Sequence, residues 1–432
     1  MISKLGKEIA ERGLSSLLLT PRVGLEVERQ RIDKNGKISK FPYPNNIGDQ
    51  QTNQWITNDF MQTMSEVVTP VADGWSQALN YLEKMSNILR AGLADGEYLW
   101  PLSMPPALPL DRSQVDVAHA SEEKRRYFFT WLKIHPLEEA TPCGFHINIG
   151  FNSNMVAKLG LSQQEQNDLY LQIAQGFLRY RFVFTYLFGA SPLAEQNYFI
   201  SQEGPDHLVR SIRQSHWGFG TKFDGDFSSL ENYVRRIHDG VESGVLLAEH
   251  DFHSPVRLRG QGNAADLLTS GITHLEVRPL DLYPWSSVGI SSDALALTVL
   301  MASFLAVENP PEFDLAKSNE QNEEVALEAP GAPTRYEDEI RAFLEKLRNF
   351  TAQLQLGQDY YELLDRITKM VDDPALTVSG RLVGQIHDNS LLSFGVRQAR
   401  AFQSRSRQAL NVYTGFGKNN TLTADELRQI LD

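Results

Sequence analysis

Four short segments of the chain alternate polar and apolar residues with the period of a β-strand. They are Glu26-Val27-Glu28, Ser65-Glu66-Val67-Val68, His146-Ile147-Asn148 and His274-Leu275-Glu276-Val277-Arg278. In each, one face can pack on a core while the other presents carboxylate, imidazole or guanidinium groups. The alternation of the first extends over 23–32, and Asn35-Gly36 then supplies a turn in which both residues tolerate positive φ. Strands are also expected over 143–151 and 272–280. Spacing changes to helical at Trp75, Leu79, Leu82, Met85 and Leu89, which predicts a helix over 75–93. Ser162, with Glu165 three residues on, predicts a capped helix running to about Phe188. Shorter helices are expected over 4–14, 230–247 and 264–270, and Pro101 to Pro109 reads as loop.

Ala294 to Val307 is the longest apolar run, bounded by Asp293 and Glu308; it is too short to span a membrane and predicts a buried helix. The segment 308–335 breaks the pattern. It carries acids at 308, 312, 314, 320, 323, 324 and 328 against bases at 317 and 335, with prolines at 310, 311, 330 and 333. The expectation is an acidic linker or surface loop between a body over 1–307 and a helical C-terminal extension over 336–432. Thr423 and Glu426 form a capping-box pattern for the last helix.

Charge and cysteine usage narrow the classes of function. A net charge of -13 argues against non-specific affinity for nucleic acid or an anionic membrane. The single cysteine, Cys143, excludes an intramolecular disulfide and a cysteine-rich zinc site, and a reducing cytoplasm is expected. Lys4, Lys7, Glu8, Glu11 and Arg12 surround too short an apolar run, Leu17 to Leu19, to read as a secretory signal.

Glu26 and Glu28, two apart on a strand, point the same way and repel unless a cation or an arginine lies between them. Alone this reads as a solvated strand face, and Glu276 with Arg278 alone reads as a salt bridge. Joined by Asp59, Glu66 and His146 they exceed what a structural face requires. Hard cations take such oxygen ligands, and an arginine stabilises a transferring phosphoryl group. The set suits magnesium-assisted activation of a carboxylate to an acyl phosphate that an amine then attacks.

Other patterns carry less. No GxxxxGK[ST] is present. Gly260-Gln261-Gly262-Asn263-Ala264-Ala265 satisfies a loose dinucleotide pattern but lacks a surrounding βαβ unit, so a helix-entry turn is expected. Asp33-Lys34-Asn35-Gly36 lacks the further ligands of a calcium loop. Cys143 and His146, an odd number of residues apart on a strand, face opposite ways, which argues against a thiol–imidazole pair.

A set of motifs completes the picture: Gly24-Leu25-Glu26-Val27-Glu28-Arg29, Trp55-Ile56-Thr57-Asn58-Asp59-Phe60 running on to Glu66 and Thr69-Pro70, and Trp100-Pro101-Leu102-Ser103-Met104-Pro105. Further on come Gly144-Phe145-His146-Ile147-Asn148, Tyr186-Leu187-Phe188-Gly189-Ala190-Ser191-Pro192, Arg213-Gln214-Ser215-His216-Trp217-Gly218-Phe219, the stretch 271–282 and Asp373-Pro374-Ala375-Leu376-Thr377. In these the chain resembles the bacterial-type glutamate–cysteine ligases, which also occur as the first half of bifunctional glutathione-synthesising enzymes. The resemblance implies an α+β fold, with a glutamine-synthetase-like curved, mainly antiparallel sheet forming a funnel, packed by helices. It implies ATP, two or three Mg2+ ions, glutamate and cysteine as ligands, in a monomer or small homo-oligomer.

Position by position, the resemblance makes Glu26, Glu28, Asp59, Glu66, His146 and Glu276 metal ligands. His146 and Arg278 would contact the nucleotide phosphates, with Arg278 as the catalytic cation. Phe60, Tyr127, Asn148, Arg213 and Phe219 would contact substrate, Arg213 through a carboxylate. Two departures stand out. Arg125-Arg126-Tyr127-Phe128-Phe129-Thr130-Trp131 lacks the family's Tyr-Arg pair, and Ala326-Leu327-Glu328-Ala329-Pro330-Gly331 replaces a segment with Gly-Arg in relatives. They leave three readings open: a cysteine ligase, a glutamate ligase for another amine, or a silent binder of ATP or amino acid. With no second ATP-binding domain in the sequence, the single-activity form is expected.

Overall fold

A computed structural model describes residues 3–218, 223–308, 312–409 and 422–432. Its centre is an antiparallel sheet of eight strands: β1 (Arg22–Asp33), β2 (Ile56–Asn58), β3 (Met64–Val68), β4 (Ala72–Asp73), β5 (Glu97–Leu99), β6 (Phe145–Gly150), β7 (Val256–Arg259) and β8 (His274–Leu280). The main order is β2-β3-β1-β6-β8-β7, and β4 and β5 pair with the two ends of β1. The 12-residue β1 is long enough to hold four partners, so its two glutamates lie at the centre of the sheet.

The alternation works as the sequence predicts. Val23, Leu25 and Val27 of β1, Phe145 and Ile147 of β6, and Leu275 and Val277 of β8 are buried on one face. Helices cover that face: Trp75–Gly92 packs on β1, and the 26-residue helix Gln163–Phe188 packs on β8. The long helix opens with the expected capping box between Ser162 and Glu165. Behind it runs Ser292–Val307, buried at every position from Ala294 to Val307. A helix apolar on all sides needs neighbours all round, and Gly176 of the long helix lets one approach. A Cβ there would lie 2.3 Å from Leu305 Cδ2.

Some boundaries move for local reasons. The first helix, Lys4–Glu11, stops before Gly13, whose φ of 65° leaves the helical region. The short helix expected from Ala264 shrinks to Leu267–Ser270, because Asn263 and Asp266 hydrogen-bond each other's backbone N–H groups and compete with helix. The segment expected to be a linker or loop differs most. Its residues Leu315–Leu327 form a helix, capped by Asp314, that packs on the long helix. Thr185 donates to Asn322 Oδ1 at 2.7 Å, and Asn322 donates to the Gln214 carbonyl at 2.9 Å. Its inner face is sealed by polar residues as much as apolar ones, with Ser318, Gln321 and Asn322 buried beside Val325 and Ala326.

After residue 336 the chain is helical, with Glu337–Gln353, Gln358–Asp372 and Leu392–Ala409 packed around the body. The last helix, Ala424–Leu431, has the predicted capping box and returns to the body, where Tyr81 donates to Asp432 Oδ1 at 2.6 Å. Among the described residues, no helix is long and apolar enough to cross a membrane.

Candidate active site

Strand register puts the polar residues in rows across the sheet. Glu66 of β3 lies opposite Glu28 of β1, and Glu26 lies opposite His146 of β6. Asn148 of β6 lies opposite Glu276 of β8, which in turn lies opposite Arg257 of β7. Directly opposed residues of antiparallel strands share a face, so all of them line one surface. Asp59 joins from the turn after β2, where its N–H donates to the Met64 carbonyl at 3.0 Å. The β6–β8 register shifts between Phe145 and Ile147, which gives β8 an extra residue in the stretch that holds Arg278 and Pro279.

This surface floors a cavity of about 650 Å³ lined by Glu26, Glu28, Asp59, Phe60, Glu66, Tyr127, His146, Arg213, Glu276 and Arg278, among others. Glu26, His146 and Glu276 each bring one ligand atom to within 4.8 Å of the others. His146 Nδ1 lies 3.3 Å from Glu26 Oε2 and 3.8 Å from Glu276 Oε1, while its Nε2 is 3.9 Å from Glu28 Oε1. That Nε2 is buried with no hydrogen-bond partner. A buried imidazole nitrogen facing carboxylates without bonding them suits a metal ion as the missing partner.

The electrostatics divide the acids. Burial, then the Asp59, Glu26 and Glu28 carboxylates, push Glu66 well above the usual carboxylate range. Burial also raises Glu28, partly countered by His146. Glu26 is raised by burial, but hydrogen bonds from His146 and Asn148 help bring it below its ordinary value. Glu276 is raised by burial yet held low by Arg278, Arg257, His146 and Arg259. One end of the floor therefore lacks positive charge while the other is rich in it. A divalent cation would relieve the first, and phosphate oxygens would suit the second.

The walls are aromatic and basic. Phe60 packs on Phe128 with ring centroids 4.4 Å apart and on Trp131 at 5.1 Å. Tyr127 donates to Asp251 Oδ1 at 3.2 Å and meets the His250 ring edge-on at 4.0 Å. Arg213 donates to the Leu280 carbonyl at 2.9 Å and lies 3.6 Å from Asp281. Its guanidinium lies over the backbone of Gly144, where a Cβ would sit 1.8 Å from Nη2. The Gly144 N–H donates to Glu28 Oε2 at 2.9 Å, so one glycine seats both an acid and a cation.

Two expected site residues stand apart. Asn148 donates to Glu26 Oε1 at 2.7 Å and lies behind that carboxylate rather than in the cavity wall. Phe219 lies outside the described residues. Cys143 is buried next to β6, and burial pushes its thiol well above the ordinary range, which agrees with its exclusion as a nucleophile. The sequence reading missed Arg257 and Arg259, which line the cavity beside Glu276; Arg259 Nε is 3.3 Å from its Oε2. The alternation Val256-Arg257-Leu258-Arg259 was the available signal.

A second chamber of about 590 Å³ adjoins the first, and Arg213, His253 and Arg278 line both.

A curved antiparallel sheet that gathers acids, an imidazole and arginines on one face is a glutamine-synthetase-like architecture. A family model described as glutamate-cysteine ligase matches residues 7–244. The bifunctional glutathione biosynthesis protein GshAB of Streptococcus thermophilus is 34% identical over 401 residues, covering 90% of this chain and 52% of that protein. The protein of the same name from Streptococcus mutans is 34% identical over 412 residues, covering 92% and 54%. Among solved structures, a bifunctional glutathione synthetase from Pasteurella multocida superposes with a TM-score of 0.87 at 28% identity, covering 94% of this chain and 55% of that one. A glutamate–cysteine ligase from Francisella tularensis in complex with AMP shares the fold, with a TM-score of 0.81 at 19% identity over 96% and 92% of the two chains. The chain belongs to the glutamate–cysteine ligase family. It spans about half the length of the curated relatives it matches.

Proposed function

We propose that the protein joins the γ-carboxylate of glutamate to the amine of cysteine, driven by ATP, through γ-glutamyl phosphate. The observation that carries this reading is the single cavity in which Glu26, Glu28, Asp59, Glu66, Glu276 and His146 meet Arg213, Arg257, Arg259 and Arg278. In it Glu26, Glu28, Asp59, Glu66, His146 and Glu276 hold two or three magnesium ions, for which the orphaned His146 Nε2 and the raised Glu66 and Glu28 carboxyls are a fitting donor set. Magnesium, when bound, neutralises charge on the phosphate oxygens.

Arg278 is aimed by its pairing with Glu276 and stabilises the phosphoryl group as it passes to the glutamate carboxylate. Arg213, fixed between Gly144 and Leu280, holds a substrate carboxylate. Asn148 orients Glu26, and Phe60 and Tyr127 form the apolar wall that keeps water from the acyl phosphate. Residues 1–307 are the catalytic body in this reading and 336–432 a helical extension of it, working in the reducing cytoplasm. ADP release that requires both glutamate and cysteine is the direct test; none at any magnesium concentration refutes the reading. Replacement of the family's Tyr-Arg pair around Tyr127 favours, as a second reading, an acceptor other than cysteine, and a screen of amines under the same assay separates the two.

A further inference from the structure

The second chamber contains a charge that the structure leaves unanswered. Arg181, on the long helix, lines it, and the residue is 9% exposed. Among the described residues Arg181 has neither a hydrogen-bond partner nor a carboxylate within ion-pair distance, and its buried Nε is unsatisfied. No residue outside the described set is an acid.

Three of the polar side chains around it are engaged elsewhere, while Glu320 also lines the chamber but is not paired with Arg181. Asp224 accepts from Asn319 Nδ2 at 2.9 Å. Glu323 accepts from the His216 N–H at 3.2 Å and lies 2.5 Å from the His216 ring nitrogen. Asn322 spans Thr185 and Gln214. Burial pushes the Arg181 guanidinium down, and Asp224 and Glu323 only partly offset this, leaving it at about 10 and charged at neutral pH.

A guanidinium taken out of water without any partner is costly, and the other buried arginines find either a carboxylate or neutral oxygens: Arg29 donates to the Ser287 carbonyl and Ser86 Oγ at 2.8 Å each, and Arg90 to the Ser287 carbonyl. Arg31 pairs with Glu97 at 2.6 Å and Arg210 with Glu328 at 3.1 Å. Arg181 differs in facing about 590 Å³ of open space instead.

We propose that this chamber is an oxyanion-binding site anchored on Arg181, which takes a carboxylate or phosphate group in the bidentate manner of guanidinium. Arg213 and Arg278 stand in the wall shared with the first cavity, so an anion can pass between the chambers without meeting an acidic barrier at that wall. Two sources have this chemistry: the carboxylate of a ligand whose other end reaches the first cavity, and inorganic phosphate itself.

Calorimetric titration of the full chain in EDTA with inorganic phosphate, and separately with N-acetylglycine, tests the proposal and tells the sources apart. Saturable binding of one or both is expected, weakened about tenfold or more in Arg181→Gln and by less in Arg181→Lys, which keeps the charge but not the bidentate fork. Absence of binding for both, or equal binding by Arg181→Gln, overturns it. Should the variants fail to fold, crystals of the unsubstituted chain soaked in selenate decide. Anomalous density at the Arg181 guanidinium supports the site, and selenate only elsewhere or nowhere overturns it. The chamber does not depend on the ligase reading, since an inactive chain binds or fails to bind these anions all the same.

Discussion

Replacing Gly144 with alanine puts one methyl group where the Arg213 guanidinium now lies. The new Cβ would sit 1.8 Å from Nη2, 2.5 Å from Cζ and 3.1 Å from Nε, whereas unbonded heavy atoms settle about 3.5–4.0 Å apart. The guanidinium must therefore withdraw by well over an ångström, and it is tied by the 2.9 Å bond to the Leu280 carbonyl. Overpacking of this kind costs about 1–3 kcal/mol of stability, read from the urea midpoint. The effect on the site is larger in proportion. A charged hydrogen bond to a substrate carboxylate contributes roughly 1.5–3 kcal/mol, so KM for glutamate should rise about ten- to a hundredfold. A double-mutant cycle isolates the cause: in an Arg213→Ala background the added methyl has little left to displace, and Gly144→Ala should then change KM hardly at all. Equal effects in both backgrounds, or an unchanged KM in the single variant, would refute the argument that this glycine exists to seat Arg213.

Arg278→Ala should depress kcat far more than it weakens ATP binding, because the interaction forms with the transferring group; matched losses measured by kinetics and calorimetry would contradict that role. Magnesium at a hundred times its Kd should stabilise the chain by about 2.7 kcal/mol in thermal melts, and Glu276→Gln should lose much of that gain. Cys143 should resist iodoacetamide at pH 8–9 in the folded chain and react once urea unfolds it, since a thiol pushed up by burial stays protonated past the pH at which a free one ionises; prompt alkylation without denaturant would show that the burial is wrong. Glu97→Ala strands the buried Arg31 guanidinium and should cost about 3–5 kcal/mol in urea unfolding.

The residues explain how far the sequence could be read. Glu26, His146 and Glu276 were legible because each has an apolar neighbour on either side, and Glu28 because it continues the alternation past Val27; the sheet buries those apolar neighbours. Register was not legible: nothing local says that Glu28 lies opposite Glu66, since that pairing depends on how the chain returns after the turn at Asp59. Strand β7 was hidden by its four-residue length and its two arginines, which mark it as polar until the facing Glu276 is known. The helix Leu315–Leu327 was hidden for a different reason. Its buried side includes Ser318, satisfied by the carbonyl of the capping Asp314, and Gln321 and Asn322, satisfied by partners on other elements, so no apolar stripe repeats along it. The same blindness covers the second chamber, whose walls come from residues as distant as Arg181, His253 and Asn319.

The sheet also ends abruptly. Its outermost strands in the main order, β2 and β7, have three and four residues, and the second carries Arg257 and Arg259. So little unpaired backbone, guarded by like charge, gives a foreign strand almost nothing to zip onto. An open-sided sheet can thus keep a wide mouth for its ligands without becoming a template for aggregation.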